Sequence, residues 1–402
     1  MMIKPKIQDD SLSIYIHIPF CQTKCPYCDF NTYSGIESLI PDYVKAINSE
    51  IHYWGDSLNN LSVRTIFFGG GTPSYLPEGH LESILDQVYK FFPIEDTPEI
   101  TIECNPNDID NNKLSYLRKI GINRLSFGVQ SLDDNLLTIL GRRHSAEEAL
   151  IAFHKAREIG FNNISLDFMY GLPYQTLSQW EDTLNQAIEI NPDHLSLYCL
   201  TLEPGTPMNK SVDSGNIPSP DQDLAADMYT IANNILANTI YDQYEISNWS
   251  KPGLNSIHNL TYWRNQQYIG MGPGGHSYVH KTRFNNINSP RQYIKRLNRL
   301  EPNKNYSKRL PYQTINTMPT VENIEYIEPA LEMSETIMLG LRLSEGVSEE
   351  SFHQRFGISI RDAFKDAITE VIDLGLMIDK NGIFKLTDKG NLFSNEVFLK
   401  FF

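Results

Sequence analysis

Six short runs of apolar, β-favouring residues recur along the first half of this 402-residue chain. They are rich in Ile, Phe, Leu and Val and do not alternate strictly between apolar and polar positions, which is typical of parallel strands buried on both faces. The predicted strands cover residues 12–18, 63–68, 99–103, 124–129, 163–168 and 194–200.

Amphipathic stretches separate these runs and predict helices over residues 41–54, 80–91, 111–120, 146–159 and 177–190. In the first of them, one helical face collects the apolar side chains of Tyr43, Val44, Ile47, Ile51 and Trp54. Alternation of strand and helix at about 30 residues per unit predicts right-handed βαβ units. We therefore expect an α/β protein whose first half is a partial (β/α)6 TIM-like barrel.

The pattern changes after about Pro204. A helix is predicted over 221–237, residues 253–280 look loop-like, and residues 288–323 are polar and irregular. The final stretch predicts helices followed by a hairpin that turns at Lys380-Asn381-Gly382, as in a small α+β, winged-helix-like module. We expect a flexible N-terminus over 1–11, a barrel over 12–250, a glycine-rich loop and linker region over 251–328, and a C-terminal domain over 329–402.

Polar residues stand at the same end of successive predicted strands. Gly69-Gly70-Gly71-Thr72-Pro73 follows the second strand, Glu103 ends the third, Gln130 follows the fourth, and Asp167 lies near the end of the fifth. Because the carboxyl ends of barrel strands meet at one rim, we expect these groups to converge there.

Three of the five cysteines, Cys21, Cys25 and Cys28, form a C-x3-C-x2-C triplet directly after the first strand. Thiolates bunched on one loop are typical of a soft-metal site. Three ligands suit an iron–sulfur cubane with one iron left open; a zinc site completed by Asp29, or free thiols, are the alternatives. Cys104 and Cys199 are expected to be packed apolar residues on strands.

Composition narrows the function classes. The formal net charge is −15, so no basic excess is present to neutralise phosphates, and we expect no nucleic-acid partner. The first residues lack an apolar signal region and the longest apolar runs are strand-length, so we expect no secretory signal and no transmembrane segment. Clustered thiols without an export signal favour a cytoplasmic location.

The cysteine spacing, with Tyr27 between the last two cysteines and the Gly69–Pro73 run after the next strand, resembles the radical S-adenosylmethionine (SAM) superfamily. This resemblance implies a radical SAM barrel that holds a [4Fe–4S] cluster at Cys21, Cys25 and Cys28. It also implies that SAM binds the open iron and that the glycine loop contacts its methionine part.

The runs ITIECNP, RLSFGVQS, LGRRH and SLDFMYGLP resemble, in order and spacing, the coproporphyrinogen-oxidase-like branch of that superfamily. The resemblance spans most of the chain. It implies that SAM is contacted by Tyr15, Tyr27, Gly70, Gly71, Thr72, Glu103, Gln130, Arg142 and Asp167.

Two features separate members of this branch. The oxidases carry a fourth cysteine two residues after the triplet, where this chain has Phe30, and this chain begins close to its cysteine loop. The run His258-Asn259-Leu260-Thr261-Tyr262-Trp263 resembles the HNxxYW signature of the haem-chaperone members. The resemblance implies haem contacts at His258, Asn259, Tyr262 and Trp263; the alternative is that His258 bonds a loop and the two aromatic residues are core.

The expected function is therefore that of a haem chaperone, which binds haem and passes it to an acceptor protein. The expected acceptors include membrane-associated proteins. An enzyme, the oxygen-independent coproporphyrinogen III oxidase, is the alternative, and a two-SAM methyltransferase of the same branch is a third. The cluster and SAM residues are common to all three and do not discriminate between them.

Overall fold

The computed structural model describes residues 11–58, 60–300 and 311–402. Six parallel strands, each hydrogen-bonded to the next, form the centre of the sheet. They are β1 Ser11–Ile18, β2 Ser62–Gly70, β3 Ile94–Cys104, β4 Arg124–Gln130, β5 Ile164–Tyr170 and β6 His194–Cys199. All six predicted strands are confirmed, and the largest boundary difference is the earlier start of β3.

Further strands extend this sheet at both edges and build a second, smaller one. They are β7 Asp242–Glu245, β8 Asn248–Ser250, β9 Tyr268–Met271, β10 His276–Val279, β11 Thr282–Asn286, β12 Val321–Tyr326, β13 Val347–Ser348, β14 Met377–Asp379 and β15 Ile383–Leu386. The large sheet has the order β12-β11-β10-β9-β1-β2-β3-β4-β5-β6-β8-β7, and β9 pairs parallel to β1. The parallel half-barrel is thus flanked by mainly antiparallel strands.

Helices cover the outside of the half-barrel and build most of the C-terminal part. They are α1 Ile40–Leu58, α2 His80–Phe91, α3 Asn111–Lys119, α4 Asp134–Ile139, α5 Ala146–Ile159, α6 Leu177–Ile190, α7 Pro207–Asp213, α8 Gln222–Leu236, α9 Ile257–Trp263, α10 Pro290–Leu297, α11 Pro311–Thr317, α12 Pro329–Gly340, α13 Glu349–Phe356, α14 Ile360–Ala363, α15 Lys365–Asp373, α16 Asp388–Leu392 and α17 Ser394–Phe398. Short 3-10 turns occupy Glu37–Leu39, Pro73–Tyr75, Pro106–Asp108 and Leu399–Phe401. Within the described ranges no helix combines the length and apolar character needed to cross a bilayer.

Local sequence explains where the outer helices begin. Ser145 and Glu148 form a reciprocal capping box at the start of α5, and Thr176 and Gln179 form another at the start of α6. Each box satisfies two backbone N–H groups that have no partner inside the helix. The predicted apolar face of α1 is buried against the sheet, with Trp54 only 1% exposed.

Residues 251–328 differ from the expected loop and linker. The stretch from Tyr268 to Tyr326 supplies strands β9 to β12, which add to the open edge of β1. Short strands of four to six residues carry too little periodicity to be separated from turns in a sequence rich in Gly and Asn. Helix α9 was missed for the same reason. At the N-terminus, Ser11 already lies in β1, while the flexibility expected for residues 1–10 falls outside the described residues.

The C-terminal part has a core of its own, formed by residues that include Ile337, Phe352, Val371 and Phe384. Strands β13, β15 and β14 make its three-stranded antiparallel sheet. The predicted hairpin turn is confirmed: Asn381 and Gly382 have φ values of 57° and 80°, as a two-residue primed turn requires. An α+β module after the barrel, with helices α13 to α15 before a hairpin, is therefore present.

Candidate functional site

The cysteine triplet lies on a loop that is anchored at both ends to the top of β1. Cys21 N–H donates to Tyr33 O over 2.9 Å and Tyr33 N–H donates to Pro19 O over 2.8 Å, which closes the loop. Within it, Cys28 N–H donates to Cys25 O over 3.1 Å. Backbone hydrogen bonds thus hold the cysteine loop at the barrel rim.

The thiols contact groups from distant parts of the chain. Thr72 Oγ1 donates to Cys21 Sγ over 3.4 Å, and Arg142 Nη1 donates to Cys25 Sγ over 3.6 Å. Burial raises the pKa of Cys21 and of Cys28, so both favour the neutral thiol until a metal or a cation stabilises the thiolate. Metal uptake at this loop would therefore release protons.

The three cysteines open onto a cavity of about 420 Å³ at the carboxyl ends of the strands, here called the barrel cavity. Of the residues expected to contact SAM, all but one line this cavity. Its walls include Tyr27, Gly70, Gly71, Thr72, Glu103, Gln130, Arg142 and Asp167. The strand ends therefore converge as the polar pattern predicted.

The glycine loop that follows β2 tolerates no side chain. A Cβ atom on Gly71 would lie 2.6 Å from Phe20 O, and one on Gly70 would lie 2.5 Å from the His17 ring. Gly70 also has a φ of 109°, a conformation that L-residues rarely adopt. These glycines let the loop pack directly against the end of β1, where the cysteine loop begins.

Two carboxyl groups, Glu103 and Asp167, face each other across the barrel cavity. Gly70 N–H donates to Glu103 Oε2 over 3.0 Å, while Ser126 and Ser165 donate to Asp167 over 2.8 and 2.9 Å. Burial, reinforced by the charge of Asp167, raises the pKa of Glu103 to about 7. Burial also raises the pKa of Asp167, against its serine hydrogen bonds, so the pair offers acceptors suited to ligand hydroxyl and amino groups.

Gln130 and Arg142 complete the wall beside β4. Gln130 has a φ of 68°, at a register shift where β4 leaves β5, and this left-handed conformation costs about 1–2 kcal/mol. Arg142 donates to Gly128 O over 2.7 Å and to Asn105 Oδ1 over 3.3 Å, while its buried Nε has no partner among the residues that the structure describes. A strained backbone and a buried free donor are both typical of a ligand site.

The sequence analysis missed Arg124, which lies at the start of β4 and lines the floor of the barrel cavity. It is only 2% exposed, and its Nε has no partner in the described part of the chain. Its charge acts on the buried carboxyl of Asp167 and opposes the rise in that group's pKa, and its side chain also offers a cation to an anionic group in the cavity. The available signal was an arginine at the head of an otherwise apolar strand.

Two other residues differ from expectation. Tyr15 does not line the barrel cavity; its hydroxyl lies 3.1 Å from His17 Nδ1, and its ring would be 2.9 Å from a Cβ on Gly69. It supports the glycine loop from below. Cys199, expected to be packed, is exposed and lines the cavity, whereas Cys104 is buried as expected.

The haem candidates do not form one site. His258 is 1% exposed, with Nδ1 2.7 Å from Thr65 Oγ1 and Nε2 2.8 Å from Tyr262 Oη. Burial lowers the pKa of His258 to about 3, so the ring is neutral. Both ring nitrogens are engaged, which corresponds to the structural alternative for this histidine. To bind iron, His258 would have to give up one of these bonds.

The remaining motif residues point in different directions. Asn259 lines the barrel cavity, whereas Trp263 lines a second cavity on the side of the C-terminal part. Tyr262 packs edge-on against Tyr268, with ring centroids 4.7 Å apart. Helix α9 therefore lies between two cavities and contributes one side chain of the motif to each.

The chemistry of the barrel cavity fits a cluster and SAM. Three thiols are the soft ligands that iron–sulfur clusters use, and the free Arg142 Nε together with Glu103 and Asp167 offers partners to a polar ligand. Within the described residues no three His, Cys, Asp or Glu side chains are placed to share a single metal ion. A cubane does not require this, because each thiolate takes a different iron.

A parallel half-barrel with a cysteine triplet above its strand ends defines a radical SAM protein. The family model described as Radical SAM superfamily matches residues 15–187, and the one described as HemN C-terminal domain matches residues 327–393.

Individual relatives narrow this class. The chain is 38% identical over 387 residues to "Heme chaperone HemW" of Bacillus subtilis (strain 168), covering 96% of this chain and 98% of that protein. It is 41% identical over 272 residues to "Heme chaperone HemW" of Escherichia coli (strain K12), and the match covers 67% of this chain and 70% of that protein. It is also 34% identical to the mitochondrial "Radical S-adenosyl methionine domain-containing protein 1" of Mus musculus, and the match covers 93% of this chain and 83% of that protein. This chain belongs to the HemW family of radical SAM proteins.

Among solved structures, the coproporphyrinogen III oxidase HemN of Escherichia coli, described as a radical SAM enzyme, has the same fold. The TM-score is 0.82 at 22% identity, and the match covers 97% of this chain and 90% of that one. The expected family and fold class, a partial radical SAM barrel with a smaller C-terminal domain, are therefore confirmed.

Proposed function

We propose that this protein is a haem chaperone, which binds haem and passes it to an acceptor haemoprotein. The observation that carries the proposal is similarity over nearly the whole chain to proteins named as haem chaperones, at 38% identity and with 98% of the Bacillus subtilis protein covered. A cytoplasmic location and acceptors that include membrane-associated haemoproteins are parts of the same proposal.

The barrel cavity is proposed to hold the cofactors of the superfamily. Cys21, Cys25 and Cys28 would hold a [4Fe–4S] cluster, which supplies single electrons to SAM when both are bound. The backbone of the glycine loop would receive the methionine part of SAM, because only glycine lets a ligand approach the chain so closely. Glu103 and Asp167 would accept from its hydroxyl and amino groups, while Arg142 would bind its carboxylate.

The residue beside the triplet supports a carrier over an oxidase. Phe30 occupies the position of the oxidase's fourth cysteine, lines the barrel cavity and is 61% exposed. An exposed phenyl ring at the cavity mouth supplies apolar contact area but no metal ligand and no proton.

Haem titration of the purified, anaerobically reconstituted protein tests the proposal. We expect a saturable Soret change at one haem per chain, followed by loss of that signal when an apo-haemoprotein is added. A Cys21→Ser variant serves as the matched control, because it removes one cluster ligand and leaves the rest of the fold in place. The absence of saturable binding to the wild type would refute a chaperone role.

The fold similarity to the oxidase HemN at a TM-score of 0.82 favours a second candidate, oxygen-independent coproporphyrinogen III oxidase. The two are separated by incubating the same preparation with coproporphyrinogen III, SAM and a low-potential reductant under anaerobic conditions. Multiple turnovers to protoporphyrinogen IX would establish the oxidase instead of the chaperone.

A further inference from the structure

A second cavity, of about 830 Å³, lies between the barrel and the C-terminal part. Its walls come from the end of α9, the β10–β11 turn, α12 and α13, and we call it the interdomain cavity. It shares no lining residue with the barrel cavity among the described residues. Its volume falls within the roughly 300–1,000 Å³ of small-molecule and cofactor sites.

An imidazole without a ring partner lines the interdomain cavity. His280 stands in the tight β10–β11 turn with a φ of 50°, and its backbone N–H donates to Gln267 Oε1 over 3.0 Å. Neither ring nitrogen of His280 has a hydrogen-bond partner in the described part of the chain, in contrast to His258, where both are engaged. A neutral, partly buried imidazole with a free nitrogen is a suitable axial ligand for haem iron.

Aromatic residues supply flat walls to the same cavity. Trp263 lines it, and the Arg342 guanidinium lies over the indole at 4.3 Å from the ring centroid. Tyr278 and Phe352 line it as well. Indole and phenyl rings give a macrocycle broad contact area.

Cations outnumber carboxylates around this cavity, although the whole chain carries a formal charge of −15. Arg264, Lys281 and Arg355 line it, against the two acids Glu332 and Glu345. Arg264 pairs with Glu345 at the surface, where the two side chains are 41% and 55% exposed, so Arg264 can turn to another anion at little cost. Lys281 is 51% exposed, and its buried partner Glu332 is also held by Arg355 over 2.8 Å. Haem carries two propionates, which such side chains recognise.

We propose that the interdomain cavity is the haem-docking site of this protein, with His280 as axial ligand and Trp263 as an aromatic wall. This site rests on the proposed haem-chaperone function, and it adds where haem binds and which side chain binds its iron. It also gives a separate role to the last residue of the HNLTYW run: Trp263 contacts haem, while His258 and Tyr262 hold α9 against the barrel.

Hemin titration of three reconstituted full-length proteins tests this site. His280→Asn removes the imidazole, and asparagine tolerates the positive φ of the turn. His276→Asn is the matched control, because His276 is an exposed imidazole at the other end of β10 and does not line the interdomain cavity. Kd comes from the Soret change, the axial ligand from resonance Raman and EPR spectra, and fold integrity from circular dichroism and iron content.

We expect His280→Asn to lose the histidine-ligated spectrum and to raise Kd about tenfold or more, equivalent to about 1.4 kcal/mol or more. His276→Asn should match the wild type. An unchanged Kd and spectrum in folded His280→Asn would overturn the site while leaving the chaperone function standing. Failure of the wild type to bind hemin would overturn the function itself.

A measurement on the wild type alone covers the case in which His280→Asn fails to fold. Diethyl pyrocarbonate modification, read by mass spectrometry, should be blocked by hemin at His280 and unaffected at His276. Equal modification of His280 with and without saturating hemin would equally overturn the proposed site.

Discussion

Gly71→Ala probes the contact that joins the glycine loop to the cysteine loop. The added Cβ would lie 2.6 Å from Phe20 O and 2.9 Å from Ile18 O, whereas ordinary contact begins at 3.4 Å. Both clashing atoms belong to the backbone and cannot move aside as a side-chain tip would. The end of β1 must therefore shift by about 0.5–0.8 Å, and Cys21 follows directly after it.

The cost follows from what the shift disrupts. Gly71 N–H donates to Ile18 O over 2.7 Å, and Thr72 N–H donates to Phe20 O over 2.9 Å. Forcing a group into a packed site costs about 1–3 kcal/mol, and each weakened backbone hydrogen bond adds about 0.5–1.5 kcal/mol. We expect the free energy of unfolding to fall by about 2–5 kcal/mol and the uptake of iron and sulfide to fall with it.

Urea denaturation and iron and sulfide analysis after anaerobic reconstitution measure both effects. Gly253→Ala is the matched control: its φ is 78°, but nothing lies within 4 Å of the added Cβ, so it carries only left-handed strain. That control should lose about 1–2 kcal/mol and bind iron fully. A Gly71→Ala protein with wild-type stability and full iron content would refute the packing argument.

Two further substitutions test the polar wall of the barrel cavity. The pKa of Glu103 is about 7 in the folded protein against an ordinary 4.5. At a pH between these two values, folding takes up a proton, and at higher pH the ionised carboxyl destabilises the folded state. Glu103→Gln should therefore gain about 1–3 kcal/mol over the wild type at pH 8.5 and little at pH 4.5 in urea denaturation; parallel pH profiles would contradict this. Arg142→Lys keeps the charge but loses the planar guanidinium that reaches Gly128 O, Asn105 and Cys25. We expect the affinity for SAM, measured from the SAM-induced change in the cluster EPR signal, to fall about tenfold while the iron content stays unchanged. If Arg142→Lys lost both its iron and its response to SAM, Arg142 would instead have a role in cluster assembly.

The parallel half-barrel was predictable because long elements carry strong local signals. The predicted helices over 80–91, 146–159 and 177–190 agree with α2, α5 and α6 at both ends. Apolar periodicity marks all three helices, and capping boxes also mark the starts of α5 and α6. The edge strands β9 to β12 were missed because each is at most six residues long. Their positions depend on pairing with β1 and with one another, which is a tertiary interaction.

The candidate site divides in the same way. The spacing of the cysteines, the glycine run and the polar strand ends identify the barrel cavity, because parallel strands carry their carboxyl ends to one rim. The HNLTYW run suggested a single haem site, but α9 places Asn259 and Trp263 at different cavities and buries His258 against Thr65. Which side of a short helix meets which neighbour is decided by packing and not by the motif.

By itself, the sequence determined the strand and helix order of the half-barrel, the clustering of three cysteines on one loop and the family, because each depends on residue types at short, fixed spacing. Tertiary structure alone decided that Arg124 is buried at the floor of one cavity, with no partner for its Nε among the described residues, and that His280 lines another. These facts arise from contacts between segments far apart in the chain. Burial and the loss of water at such contacts set the availability of a side chain for a ligand, and neither quantity is local in sequence.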